Sequence, residues 1–212
     1  MPETNSMALL GASSPIPAMA ARGPFAAPPT SPPVQPAMTS EGPSLESFGY
    51  VGSRTLQRLI GYWLERRGER RMPALADIDP IGMPWALARI WLCDRLTDSD
   101  RFRFRLAGEK INTFWGQSIA GKYLDEIVPP ERIQPATEKL RMVCQLPAIV
   151  HDRVCLTLTD EIARDGERII LPLSSDGVSV DALLGADECD WLHDLEYDPY
   201  ATCSESSTVT AL

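Results

Sequence analysis

Residues 101–127, RFRFRLAGEKINTFWGQSIAGKYLDEI, constrain the fold of this chain more than any other stretch. Phe102, Phe104 and Leu106 alternate with Arg101, Arg103 and Arg105, which is the period-two pattern of a half-buried strand. Ala107-Gly108 ends the alternation. Ile111, Phe114 and Trp115 then recur at helical spacing before Gly116, and Ile119, Tyr123, Leu124 and Ile127 make a second short helical pattern that runs into Pro129-Pro130. One strand feeding two brief helices, with aromatic side chains aimed at a single interior, makes a wall suited to a small apolar cavity. It holds no recognisable catalytic set, so it points to sensing or docking more than to a reaction.

The chain before it divides in two. Residues 1–52 hold ten of the nineteen prolines, spaced by Ala, Ser, Thr and Gly with few charges. Proline fixes φ and removes a backbone donor, so neither helix nor sheet propagates there, and the expectation is a disordered arm. Order is expected from Ser53, a helix N-cap, with Leu56, Leu59, Ile60, Trp63 and Leu64 as one apolar stripe and Gly68 as the stop. That stripe must be buried, either on the outer face of a sheet or in a homodimer, so these five residues are the interface candidates. Arg54, Arg58, Arg66 and Arg67 lie on the opposite face. Residues 160–205 carry thirteen acidic side chains against Arg164 and Arg168, so the basic stripe and the acidic tail, residues 187–212, are natural partners.

Pro73, Pro80 and Pro84 prevent a long helix in residues 72–94, where Leu87, Ile90, Trp91 and Leu92 read as a short helix or turn entering a strand. Pro129-Pro130-Glu131 opens a longer helix with an apolar stripe of Ile133, Ala136, Leu140, Val143 and Cys144. Strands are expected over 153–160, 167–173 and 178–184, with Asp165-Gly166 and Asp176-Gly177 as hairpin turns. The triplet Arg101, Arg103, Arg105 is expected to face acidic residues on this meander.

Strand, short helices, longer helix and three-stranded meander is the order of a PAS domain. The segments WLERRG (63–68), MPALADIDP (72–80), FRFRLAG (102–108), GQSIAGKYLDEI (116–127) and ILPLSSDG (170–177) resemble an alphaproteobacterial PAS-like family formerly catalogued as a domain of unknown function. The resemblance covers residues 53–186. It implies an α+β fold, an antiparallel sheet of about five strands with short helices on one face and a flanking N-terminal helix over 53–71. It also implies intracellular sensing or protein docking in bacterial signalling, without an effector domain on the same chain.

The remaining chemistries lack their residues. GxGxxG, GxxxxGK[ST] and GxSxG are absent. His151, Asp152 and Cys155 lack the further ligands of a metal site. The longer helix has no axial histidine for haem and no NCRFL-type run serves a flavin, so both are disfavoured and no cofactor is expected. A net charge of −9 argues against nucleic acid, and no apolar run is long enough to cross a membrane. Five dispersed cysteines without a signal sequence read as reduced thiols in the cytoplasm. Phe104, Leu106, Ile111, Trp115, Tyr123, Leu156 and Leu171 are the pocket candidates, for a small apolar ligand with one polar handle. Three readings stay open: a sensor or docking module that acts on another signalling protein and pairs with itself, a structural adaptor with a filled core, and a small-molecule enzyme using Asp125, Glu126 and Glu131.

Overall fold

The computed structural model describes residues 42–159, 162–189 and 203–212. Most of the proline-rich arm and the stretch 190–202 of the acidic tail lie outside them. Six strands, β1 (Ile90–Leu96), β2 (Arg101–Ala107), β3 (Ala148–Thr159), β4 (Ile162–Leu173), β5 (Ala182–Glu188) and β6 (Cys203–Ala211), form one antiparallel sheet in the order β2-β1-β5-β4-β3-β6. The helices are α1 (Arg54–Arg67), α2 (Glu109–Phe114), α3 (Leu124–Ile127) and α4 (Pro130–Gln145). The fold is α+β, as expected.

Both faces of the sheet are covered. Side chains alternate across a strand, so Arg168, Ile170 and Pro172 of β4 share one face and Glu167, Ile169, Leu171 and Leu173 share the other. The first face meets α2, α3 and α4. The second meets α1, whose entry is tied down by Glu167: Gly52 N and Ser53 N donate to its carboxylate at 3.0 and 2.7 Å. Two-sided burial explains why RIILPL and ALLGA read as apolar runs rather than as alternation.

Helix α1 starts and stops where its sequence says. Ser53 Oγ accepts from Leu56 N at 3.2 Å, and Gly68 ends the helix at φ 56°. The stripe is placed on the chain's own sheet. Leu56, Leu59, Ile60 and Trp63 are fully buried, Leu64 packs beside them, and Trp63 Nε1 donates to Pro172 O at 2.9 Å. Covering the sheet therefore buries Leu56, Leu59, Ile60 and Trp63, while Leu64 stays partly exposed at the margin.

Several boundaries differ from expectation. Folded structure begins before Ser53: Phe48, in a 3-10 turn over Leu45–Phe48, and Val51 are each only 1% exposed. The turn expected around Leu87 runs over 84–89 and enters strand β1 at Ile90, so Ile90, Trp91 and Leu92 belong to the strand, with Trp91 and Cys93 buried between β2 and β5. Asp165-Gly166 is not a turn but lies inside β4, with Gly166 opposite Val154. A Cβ there would stand 2.5 Å from Cys189 Sγ, so close approach is what requires glycine. The Asp176-Gly177 turn is present, with Gly177 at φ 76° and Asp176 accepting from Val178 N and Ser179 N. Strand β5 starts after it at Ala182, and the tail supplies a sixth strand instead of the expected five.

Candidate functional site

The largest group of the expected pocket residues meets in the interior between the sheet and α2–α4. Phe104 from β2, Trp91 from β1, Ile111, Phe114 and Trp115 from α2 and its C-cap, Ile119, Leu124 and Leu140 converge on it. Phe104 and Trp91 meet edge to face, with ring centroids 5.7 Å apart. What these side chains leave open is about 40 Å³, room for a few water molecules. Pockets that hold a small molecule run to about 300–1,000 Å³. The interior is essentially filled.

Of the seven pocket candidates, Phe104, Ile111 and Trp115 line this interior. Leu171 does not: it sits on the opposite face of β4, because the alternation that puts Arg168 inside puts Leu171 under α1. Tyr123 is outside as well. Its ring lies 3.6 Å beneath the Arg101 guanidinium, which also holds Asp125 through two short contacts of 2.8 and 2.9 Å. Leu106 pairs with Leu92 beyond a bulge and is half-buried away from the cavity. Leu156 falls in β3, opposite Arg164, and its side chain lies outside the described set.

One wall is polar, and nothing in the sequence pattern pointed to it. Arg168 Nε donates to Asp187 Oδ1 at 2.5 Å, and Trp91 Nε1 donates to Asp187 Oδ2 at 2.8 Å. Burial works against the Arg168 charge, yet the carboxylates of Asp187, Glu205 and Asp152 outweigh it and raise its pKa. Beside this pair, Lys139 of α4 reaches Asp152 Oδ2 at 3.0 Å and Glu205 of β6, and Ser207 Oγ donates to Asp152 Oδ1 at 2.6 Å. Asp152 is opposed by burial but held ionised by Lys139, so its pKa falls. Glu205 goes the other way: burial, then the Asp152 charge, push it up to about 8. Two buried carboxylates share one lysine, and their tendencies to hold a proton are pushed apart. This cluster pins α4, β3 and β6 together.

The acids of the enzyme reading have structural partners. Asp125 is held by Arg101, and Glu126 accepts from Tyr123 N at 2.9 Å as the reciprocal half of the α3 cap. The side chain of Glu131 lies outside the described set. Arg103 and Arg105 face Asp94 on the neighbouring strand, at 3.4 and 2.9 Å, rather than the meander. β2 pairs with β1, which leaves the meander acids out of reach. Among the described residues no group of three or more His, Cys, Asp or Glu could hold a metal ion, and no helix is long and apolar enough to cross a membrane. His151 is buried against Tyr50, with Nε2 3.7 Å from Glu167, and burial lowers its pKa.

The PAS domain family matches residues 51–187, which takes in five of the six strands and all four helices. The chain belongs to the PAS domain family. Membership supports a sensory or regulatory module. The PAS match ends before β6. Among solved structures, the chain is similar to the light-state LOV domain of the blue-light photoreceptor Aureochrome1, at 18% identity and a TM-score of 0.34, over 51% of this chain and 85% of that one. A fungal LOV domain photoreceptor also matches at 18% identity, with a TM-score of 0.33, over 54% of this chain and 94% of that one. A search of curated proteins found no match.

Proposed function

We propose that this PAS domain is a regulatory module that works by protein docking, with a filled core and no catalysis of its own. The observation that carries this reading is the roughly 40 Å³ interior, too small for a metabolite or a cofactor. A filled PAS core transmits nothing from a bound ligand, so its output rests on what the surface meets. Asp125 and Glu126, two of the acids considered for chemistry, are engaged in a surface ion pair and a cap. The outside of α1 offers an open groove of about 540 Å³ lined by Arg54, Gln57, Arg58, Tyr62, Glu65 and Trp85, two cations against one acid, where Arg58 stacks 4.2 Å from the Trp85 ring. It suits acidic side chains of a second signalling protein. Buried, unpaired Cys93 and Cys144 fit a cytoplasmic setting, where thiols stay reduced.

Native mass spectrometry of the purified full chain tests the reading. The expected result is the bare 23.4 kDa mass or a whole multiple of it. A small molecule retained at one per chain would overturn it in favour of ligand sensing.

A further inference from the structure

The two edges of the sheet are treated in opposite ways. Along β2 the edge is closed: Phe104 N donates to Lys122 O at 2.9 Å, Gly121 N donates to Phe104 O at 2.7 Å, and Arg103 bridges to Tyr123. Arg101, Arg103 and Arg105 add three positive charges on that strand. Charge and a covering segment are the usual means of keeping an edge from pairing with another chain.

Strand β6 has none of these. It runs nine residues in unbroken register against β3, without a bulge, a proline or a lysine, and its other edge meets no strand among the described residues. Its one ionisable side chain among the described residues, Glu205, turns inward to Lys139. Ser206, Ser207, Thr208 and Val209 are exposed, Val209 by 48%. The strand is also firmly seated: Tyr50 Oη and Thr210 Oγ1 lie 3.1 Å apart, and Leu212 N donates to Pro147 O. Among the described residues this leaves a row of backbone donors and acceptors to solvent, the template on which another extended strand pairs.

We infer that β6 pairs with β6 of a second copy, antiparallel about a two-fold axis through Ser207, so that two sheets join into one. The sequence is self-complementary in that register. Full overlap of Cys203–Ala211 sets Ser207 against its symmetry mate, Ser206 against Thr208 and Glu205 against Val209, and no two like charges meet. A two-fold contact must use the same patch on both partners, and a neutral Ser/Thr/Val strand meets that condition without repulsion between chains of net charge −9. The inference deepens the docking reading, on which it rests for its purpose, by naming a second copy as one partner.

Sedimentation of the full chain tests it, with thermal melts as the check on folding. Wild type is expected at twice the 23.4 kDa chain mass. The double variant S206K/T208K sets lysine against lysine twice across the axis and is expected to sediment as a monomer. The variant S206K/T208E sets lysine against glutamate twice and is expected to keep the dimer. Both positions are exposed, so both variants are expected to melt as wild type does. A monomeric wild type, a dimeric S206K/T208K, or loss of the dimer in both variants overturns the inference. A monomer of bare mass would remove the β6 pairing alone, whereas a retained small molecule would remove the docking reading alone.

Discussion

Trp91 lies directly on the bare backbone of Gly185: a Cβ at position 185 would stand 2.0 Å from ring atoms Cε2 and Cζ2. The two residues are register partners on β1 and β5, and the missing side chain is what lets the indole lie flat and reach Asp187 with its Nε1. Gly185→Ala is expected to push the ring off the sheet. Overpacking and the lost hydrogen bond together cost about 2–4 kcal/mol, read as a lowered denaturation midpoint.

The filled interior makes its own prediction. Val154 is buried and borders the cavity. Val154→Phe adds a ring where about 40 Å³ is open, and is expected to destabilise by about 1–3 kcal/mol in urea unfolding. No loss of stability would mean that the interior opens to accept the added volume.

Trp63 separates packing from hydrogen bonding. Trp63→Phe keeps most of the apolar volume but leaves Pro172 O without its donor, for a cost of about 1–3 kcal/mol. Trp63→Ala empties the site under α1 and is expected to cost about 3–5 kcal/mol. Both variants are expected to sediment like wild type, because Trp63 faces this chain's own sheet.

A chain beginning at Glu41 is expected to melt with the full-length protein, while one beginning at Ser53 loses the buried Phe48 and Val51 and the Tyr50–Thr210 contact. Each apolar side chain removed is worth about 1.5–3 kcal/mol, so the second truncation is expected to lower the melting temperature clearly.

Glu205 gives a pH signature. Its folded pKa is raised to about 8 from an ordinary value near 4.5, so the folded state binds the proton more tightly than the unfolded state does. The associated stability is fully present below about pH 4.5 and is lost as pH rises through 8. Glu205→Gln keeps a neutral group of similar shape. It is expected to change the melting temperature little at pH 5 and to leave the variant more stable than wild type at pH 9, by up to a few kcal/mol since one pH unit is worth about 1.4 kcal/mol. Equal slopes of stability against pH would show that Glu205 is ionised at neutral pH.

Local pattern and local chemistry set a good deal of this protein. The alternation at 102–106, the Ser53 cap, the Gly68 stop, the Pro130 helix start and the Asp176-Gly177 turn are all events within a few residues, and each stands where the sequence puts it. Long-range pairing decided the rest. Which face Leu171 takes depends on the phase that places Arg168 beside Asp187 across the strands, and both phases of RIILPL are buried, so burial alone does not say which face meets which helix. Asp165-Gly166 has the composition of a turn, but the ladder that sets it opposite Cys155 and Val154 of β3 makes it strand. Strand β6 carries no apolar alternation at all; it exists because β3 offers it an edge and Lys139 offers Glu205 a partner. The volume left inside is settled by how the Trp91, Phe104 and Trp115 rings interlock, a property of side-chain packing in three dimensions that no spacing along the chain records.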